Sequence, residues 1–130
     1  MPRMAPDLDL RLAAGPRAPG QARHALDELA REVHPETLDR VRLLVSELVT
    51  NSVRHAGLQQ EDRIALRVTT DDRFVRVEVS DPGPGFADRP PLPTIYQDSG
   101  WGLYLVEQIA DRWGIEKGRE TSVWFEIDRR

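Results

Sequence analysis

The stretch Arg42-Leu-Leu-Val-Ser-Glu-Leu-Val-Thr-Asn-Ser-Val-Arg-His-Ala56 lies near the middle of the chain and decides the fold. Its apolar residues recur at intervals of three and four, which is typical of an amphipathic helix with one buried stripe. The stripe consists of Val41, Leu44, Val45, Leu48, Ser52 and Val53. Pro35 suits a first helical turn and Gly57 suits a helix end, so the pattern predicts one long helix between them.

Two polar residues lie at the edge of this stripe. Glu47 and Asn51 are four positions apart, so they share one helical face beside Leu44. Their oxygens are ligands of the kind that Mg²⁺ accepts, and the carboxylate could also accept a proton. A solvated pair at a helix edge is the more common explanation of such residues when no other motif supports a site.

The rest of the chain predicts an α+β two-layer sandwich, in which helices cover one face of a mixed sheet. The predicted elements are a strand at 7–12, a turn at 16–20, a helix at 21–33, the central helix, a hairpin at 64–79, a helix opened by residues 99–103, and strands at 113–116 and 121–127. Residues 86–99 contain three prolines and no periodic pattern, so we expect a loop that serves as a lid. A single domain at 1–130 accounts for the whole pattern.

Composition narrows the function classes. The net charge of −4 and the pI near 5.4 argue against a partner that is nucleic acid or a membrane surface. The absence of cysteine excludes disulfides and thiolate metal sites. The chain has neither a run of about 20 apolar residues nor an apolar segment typical of a signal peptide, so we expect a cytoplasmic location.

A second motif, Asp81-Pro-Gly-Pro-Gly85, follows a predicted buried strand. A carboxylate at this position can accept a hydrogen bond from an exocyclic amine such as that of adenine. The glycines allow the backbone to turn and to approach a flat ring closely. Taken alone, the motif is more often a plain turn than a binding site.

A third motif, Ser99-Gly-Trp-Gly-Leu103, opens a predicted helix. The free backbone N–H groups at a helix start, together with the positive end of the helix dipole, suit a phosphate group. Glycine before a helix is common, so this motif gains weight only from its combination with the other two.

The order and spacing of the three motifs resemble the ATP-binding fold shared by gyrase, MutL, histidine kinases and the heat-shock chaperone of that superfamily. Within it, residues 46–56 and 99–106 are most similar to the small anti-sigma-factor serine kinases of Gram-positive bacteria. The resemblance extends from about Gly20 to Ile127. It implies a Bergerat-type sandwich that binds ATP with Mg²⁺.

The resemblance also implies roles for single residues. Glu47 matches the catalytic base, Asn51 the Mg²⁺ ligand, and Asp81 the carboxylate that binds adenine. The other nucleotide-binding positions that it implies are Arg54, Gly83, Gly85, Ser99, Gly100, Gly102, Leu103 and Thr121. The chain departs from the family pattern at Trp101, where many relatives carry arginine or another polar residue, and at Glu120, where relatives often carry glycine or lysine.

Two functions remain open. The first is a serine/threonine protein kinase acting on a partner that resembles an anti-anti-sigma factor; Glu47 favours it because histidine kinases commonly carry asparagine there. The second is an ATP-dependent switch that sequesters a sigma factor or another regulator without turnover. We expect neither a gyrase-like ATPase, since no transducer domain follows, nor a complete histidine kinase. The resemblance further suggests a homodimer.

Overall fold

The computed structural model describes residues 7–55, 58–59, 61–83 and 101–129, so the predicted lid at 86–99 lies outside the described residues. The elements in chain order are β1 (Leu8–Ala13), α1 (Ala18–Ala25), a 3₁₀ helix (Leu26–Leu29), α2 (Pro35–His55), β2 (Arg63–Thr70), β3 (Phe74–Asp81), α3 (Trp101–Ile109), β4 (Arg112–Lys117) and β5 (Thr121–Asp128). No helix in these ranges is long and apolar enough to cross a lipid bilayer.

The five strands form one sheet in the order β1-β2-β3-β5-β4. The predicted α+β two-layer sandwich is confirmed, but the sheet is antiparallel throughout rather than mixed, because every neighbouring pair of strands is antiparallel. The strand β4 does run in the same direction as β3. The strand β5 lies between them, so this parallel pair shares no hydrogen bonds.

The central helix α2 confirms the helix predicted from the opening stretch, and it begins at Pro35 as expected. Its buried side is wider than the predicted stripe, since Val49 is also fully buried. The reason is that α2 contacts β3 and β5 of the sheet and also the helices α1 and α3. A helix with neighbours on several sides needs more apolar positions than a surface helix.

The first helix differs from its prediction. A helix was expected at 21–33 after a turn at 16–20, whereas α1 already begins at Ala18 and ends at Ala25. Pro19 lies in the first helical turn, where its missing N–H group would have had no partner. The apolar residues that carried the prediction, such as Leu29 and Val33, are still buried, because the 3₁₀ helix and a turn continue along the same surface.

The sheet face away from the helices carries charged and aromatic side chains that alternate with the core residues. Arg112 binds both Glu126, at 2.6 Å, and Asp128, at 2.5 Å, and these carboxylates raise the pKa of Arg112 above its ordinary value. Arg76 binds Glu126 at 3.0 Å and lies 4.4 Å from the centre of the Trp124 ring. These contacts join β3, β5 and β4 on this face.

Candidate functional site

Three elements converge where buried polar side chains are concentrated. The last turns of α2 lie near the end of β3, and the end of β3 pairs with the start of β5, so that Asp81 is opposite Thr121. Six polar or charged residues are buried in the described part of the chain, and four of them, Asn51, Ser52, Asp81 and Thr121, lie here. Because burial of polar groups is unfavourable unless they are bonded, this concentration requires an explanation.

Hydrogen bonds join most of this group into one network. Oδ2 of Asp81 accepts a hydrogen bond from the Ser52 hydroxyl at 2.5 Å, and Oδ1 accepts one from the Gly83 backbone N–H at 2.8 Å. The Thr121 hydroxyl donates to the Gly83 carbonyl at 3.1 Å. The carboxylate is thus held from two sides, and the turn after β3 is tied to β5.

Ser52 was missed as a functional candidate by the sequence reasoning, which placed it in the apolar stripe of α2. The residue is buried as the stripe requires, but its hydroxyl faces Asp81 instead of merely filling space. The signal that could have found it is a serine within an otherwise aliphatic stripe, directly after Asn51. A buried hydroxyl needs a hydrogen-bond partner, and a later carboxylate at a strand end could supply it.

Asn51 contributes an unpaired group to the same region. Its Nδ2 atom is buried and has no hydrogen-bond partner among the described residues. Buried donors without partners are rare in folded proteins, and each one points to a ligand, a water or a functional role. Asn51 directly precedes Ser52, the partner of Asp81. An unpaired amide donor together with a carboxylate that keeps free lone pairs fits a ligand that offers both acceptors and donors, as a nucleotide does.

The described residues also fit one particular way of holding a magnesium ion. No group of three or more His, Asp or Glu side chains in the described part of the chain could enclose a metal ion. Mg²⁺ commonly takes one or two protein oxygens and completes its shell with water and phosphate oxygens. The amide oxygen of Asn51 could be such a single ligand in a nucleotide-dependent site.

The remaining predicted residues are distributed around this centre. Glu47 is half-buried on α2, one turn before Asn51. Its neighbour Ser46 accepts a hydrogen bond from Arg23 at 2.7 Å, and this bond connects α1 to α2. Arg54 is exposed on the last turn of α2. Their predicted roles stay predictions.

The third motif is described only in part. Gly102 lies in the first turn of α3, and the half-buried Leu103 packs against the core. Gly85, Ser99 and Gly100 lie outside the described residues. The structure therefore joins the first two motifs through the hydrogen bond between Ser52, which directly follows Asn51, and Asp81. The phosphate-binding role of the third motif stays a prediction.

Comparisons with known proteins identify the family of this chain. The family model of the histidine kinase-like ATPase domain matches residues 12–127. The anti-sigma F factor of Clostridium botulinum (strain Eklund 17B / Type B) is 33% identical over 119 residues, which cover 84% of this chain and 83% of that protein. The anti-sigma F factor of Clostridium acetobutylicum is 29% identical over 127 residues, with 89% of each chain covered.

A solved structure adds a likeness of fold. The blue-light activated histidine kinase of Erythrobacter litoralis EL346 superimposes with a TM-score of 0.53 at 24% identity, and the match covers 89% of this chain and 45% of that chain. The match to the family model spans both described motifs, and the anti-sigma F factors match over most of their own length. The chain therefore belongs to the histidine kinase-like ATPase family and is related to the anti-sigma F factors.

Proposed function

We propose that this chain is an anti-sigma-type regulator that binds ATP with Mg²⁺ and transfers a phosphoryl group to a serine or threonine of a partner protein. The observation that carries the proposal is the buried carboxylate of Asp81, held by Ser52 and Gly83 in a chain of this family. A carboxylate buried at a strand end and still able to accept further hydrogen bonds is suited to bind the exocyclic amine of adenine.

The proposed adenine contact depends on a fixed turn after β3. The backbone N–H of Gly83 holds one oxygen of Asp81, and the carbonyl of Gly83 is held by Thr121. The carboxylate is therefore oriented before a ligand arrives, and preorganised groups lose less freedom on binding. The wrong base would leave the buried carboxylate without a donor, and an unpaired buried group of this kind is costly.

Two residues of α2 would take part in the transfer itself. When bound, Mg²⁺-ATP supplies the phosphoryl group and the cation that neutralises the phosphate charge. Asn51 would contribute its amide oxygen to that cation, which fits its buried position at the end of α2. Glu47 would accept the proton from the incoming serine hydroxyl, since a half-buried carboxylate one turn away remains accessible to a partner.

The partner follows from the relatives. Two proteins to which this chain is similar are named anti-sigma F factors. We therefore propose that the phosphoryl acceptor resembles an anti-anti-sigma factor and that a sigma factor is a further partner. Partners of this kind would place the chain in the cytoplasm, and a homodimer remains the expectation drawn from the family resemblance.

The test is a phosphotransfer assay with a partner obtained by co-purification from the source cell. The purified chain is incubated with labelled ATP, Mg²⁺ and that partner, and the phosphorylated residue is located by mass spectrometry. We expect phosphoserine or phosphothreonine with the unchanged chain and none with Glu47→Ala, which should still bind ATP. Glu107→Ala is the matched control, because Glu107 is an exposed glutamate on α3.

Two outcomes would contradict the kinase proposal. Full phosphorylation by Glu47→Ala would exclude Glu47 as the base. Tight binding of the partner in the presence of ATP without any phosphorylation by the unchanged chain would favour a switch that sequesters its partner without turnover.

A further inference from the structure

The Ser52–Asp81 pair does more than satisfy two buried groups. Ser52 and Asp81 are both almost fully buried, with exposed fractions of 7% and 6%. A serine hydroxyl has one hydrogen, and here that hydrogen is donated to Oδ2 of Asp81 at 2.5 Å. The oxygen of Ser52 can therefore only accept a hydrogen bond from any additional partner.

The other oxygen of the Asp81 carboxylate also accepts a hydrogen bond from the protein. Oδ1 of Asp81 accepts from the Gly83 N–H, so each oxygen holds one protein donor and keeps free lone pairs. The two donors come from different elements, α2 and the turn after β3, which fixes the plane of the carboxylate. The side chains of Ser52 and Asp81 together form a buried surface that presents acceptors only.

We propose that Ser52 is a positioning residue that sets the specificity of this site for a purine with an amino group at position 6. This inference rests on the proposed function, because it takes Asp81 as the adenine-binding group. A 6-amino group brings donors to the acceptor surface. A 6-oxo group, as in guanine, would bring lone pairs against lone pairs and leave buried acceptors unpaired.

Removing the hydroxyl should change specificity more than stability. Without Ser52 as a donor, Oδ2 of Asp81 loses its partner and the carboxylate becomes free to rotate or to take up a water molecule. The contribution of a ligand's 6-amino group to its binding affinity then falls. A ligand without that group is affected much less, because it never used the acceptor surface.

The test is calorimetric titration of the whole chain with three Mg²⁺-nucleotides: ATP, GTP and purine riboside triphosphate, which lacks the 6-amino group. We expect Ser52→Ala to lose about fivefold or more in ATP affinity and less than about twofold in affinity for the purine analogue. Ser52→Thr keeps the hydroxyl and should retain the ATP preference within about twofold. GTP should bind the unchanged chain more weakly than ATP, and the ratio of ATP affinity to GTP affinity should be smaller in Ser52→Ala.

Ser80→Ala is the matched control. Ser80 has the same exposed fraction of 7%, and its hydroxyl pairs with that of Ser122 at 2.7 Å, so its loss reports the general effect of removing a buried serine hydroxyl. Circular dichroism and thermal melting establish that each variant is folded. If Ser52→Ala does not fold, Ser52→Cys leaves no cavity and weakens the donor, and it should show the same loss of preference.

An unchanged ratio of ATP affinity to analogue affinity in a folded Ser52→Ala or Ser52→Cys would overturn the inference. An equal change of that ratio in Ser80→Ala would also overturn it. If the unchanged chain bound ATP no better than the analogue, the specificity inference would fail while phosphotransfer to a partner could still be observed. If it bound no nucleotide at all, the proposed function would fail with it.

Discussion

Asp81 and Thr121 face each other across β3 and β5, and both side chains are buried at the end of this strand pair. Their side chains do not bond to each other directly in this network. Instead, Gly83 joins them, since its N–H donates to Asp81 and its carbonyl accepts from Thr121. The position of the carboxylate therefore depends on a threonine on the neighbouring strand.

This relationship predicts the effect of Thr121→Val. Valine keeps the shape of the side chain but cannot donate to the Gly83 carbonyl, so the turn after β3 should loosen. We expect the free energy of unfolding to fall by about 1 kcal/mol and the ATP affinity to fall by about threefold or more. Chemical denaturation and calorimetry measure the two effects. Thr69→Val on β2 is the control, and an equal loss of ATP affinity in that variant would contradict the prediction.

The turn between β2 and β3 predicts a pH-dependent contribution to stability. The Asp71 carboxylate accepts hydrogen bonds from the backbone N–H groups of Phe74, at 2.9 Å, and Arg73, at 2.7 Å. These bonds, chiefly that of Phe74, lower the pKa of Asp71 below its ordinary value of 3.8. The folded chain therefore binds this proton less readily than the unfolded chain, so the contribution is present above about pH 4 and is lost as the pH falls further.

Asp71→Ala tests this contribution. We expect a loss of about 0.5 kcal/mol in the free energy of unfolding at pH 7, and the difference from the unchanged chain should shrink below pH 4. Urea denaturation at a series of pH values measures it. Asp72→Ala, an exposed neighbour in the same turn, should show a smaller effect. A difference that stays constant down to pH 2.5 would exclude a role for the ionised carboxylate.

The position of Gly114 predicts that a side chain there would cause a steric clash on the sheet face away from the helices. A Cβ atom at this position would lie 2.8 Å from Nε1 and 2.9 Å from two carbon atoms of the Trp124 indole, which is too close for non-bonded contact. Trp124 lies under the Arg76 guanidinium, so a shift of the ring would also disturb that contact. We expect Gly114→Ala to lower the free energy of unfolding by about 1–3 kcal/mol.

Chemical denaturation followed by tryptophan fluorescence measures this loss. Gly118→Ala is the matched control, because a Cβ atom at Gly118 would have no atom within 4 Å apart from those of Gly118 and its two chain neighbours. Equal stabilities of the two variants would show that the indole moves aside without loss.

Local periodicity was enough to predict the elements that carry the site. The buried stripe of α2 and the alternation in β2, β3 and β5 are properties of neighbouring residues, and they placed Asn51 near a helix end and Asp81 at a strand end. The start of α1 was missed because Pro19 and Gly20, which usually indicate a turn, also tolerate a first helical turn.

The tertiary partners could not be predicted in the same way. The antiparallel arrangement depends on β4 pairing with β5 at the sheet edge, and a strand does not encode which neighbour it will have. The role of Ser52 depends on a residue 29 positions later in the chain, so a helical pattern showed only that Ser52 is buried. The unpaired Nδ2 of Asn51 likewise becomes evident only when the packing around it is known.

The most direct measurement of the central claim is calorimetric titration of the unchanged chain and of Asp81→Asn with Mg²⁺-ATP. The asparagine oxygen can still accept from Ser52. Its NH₂ group then replaces the oxygen that accepts from the Gly83 N–H and removes an acceptor that the adenine amine needs. We predict that the unchanged chain binds ATP and that folded Asp81→Asn loses at least about tenfold in affinity. Equal affinities of the two proteins, or no binding by the unchanged chain, would contradict the account.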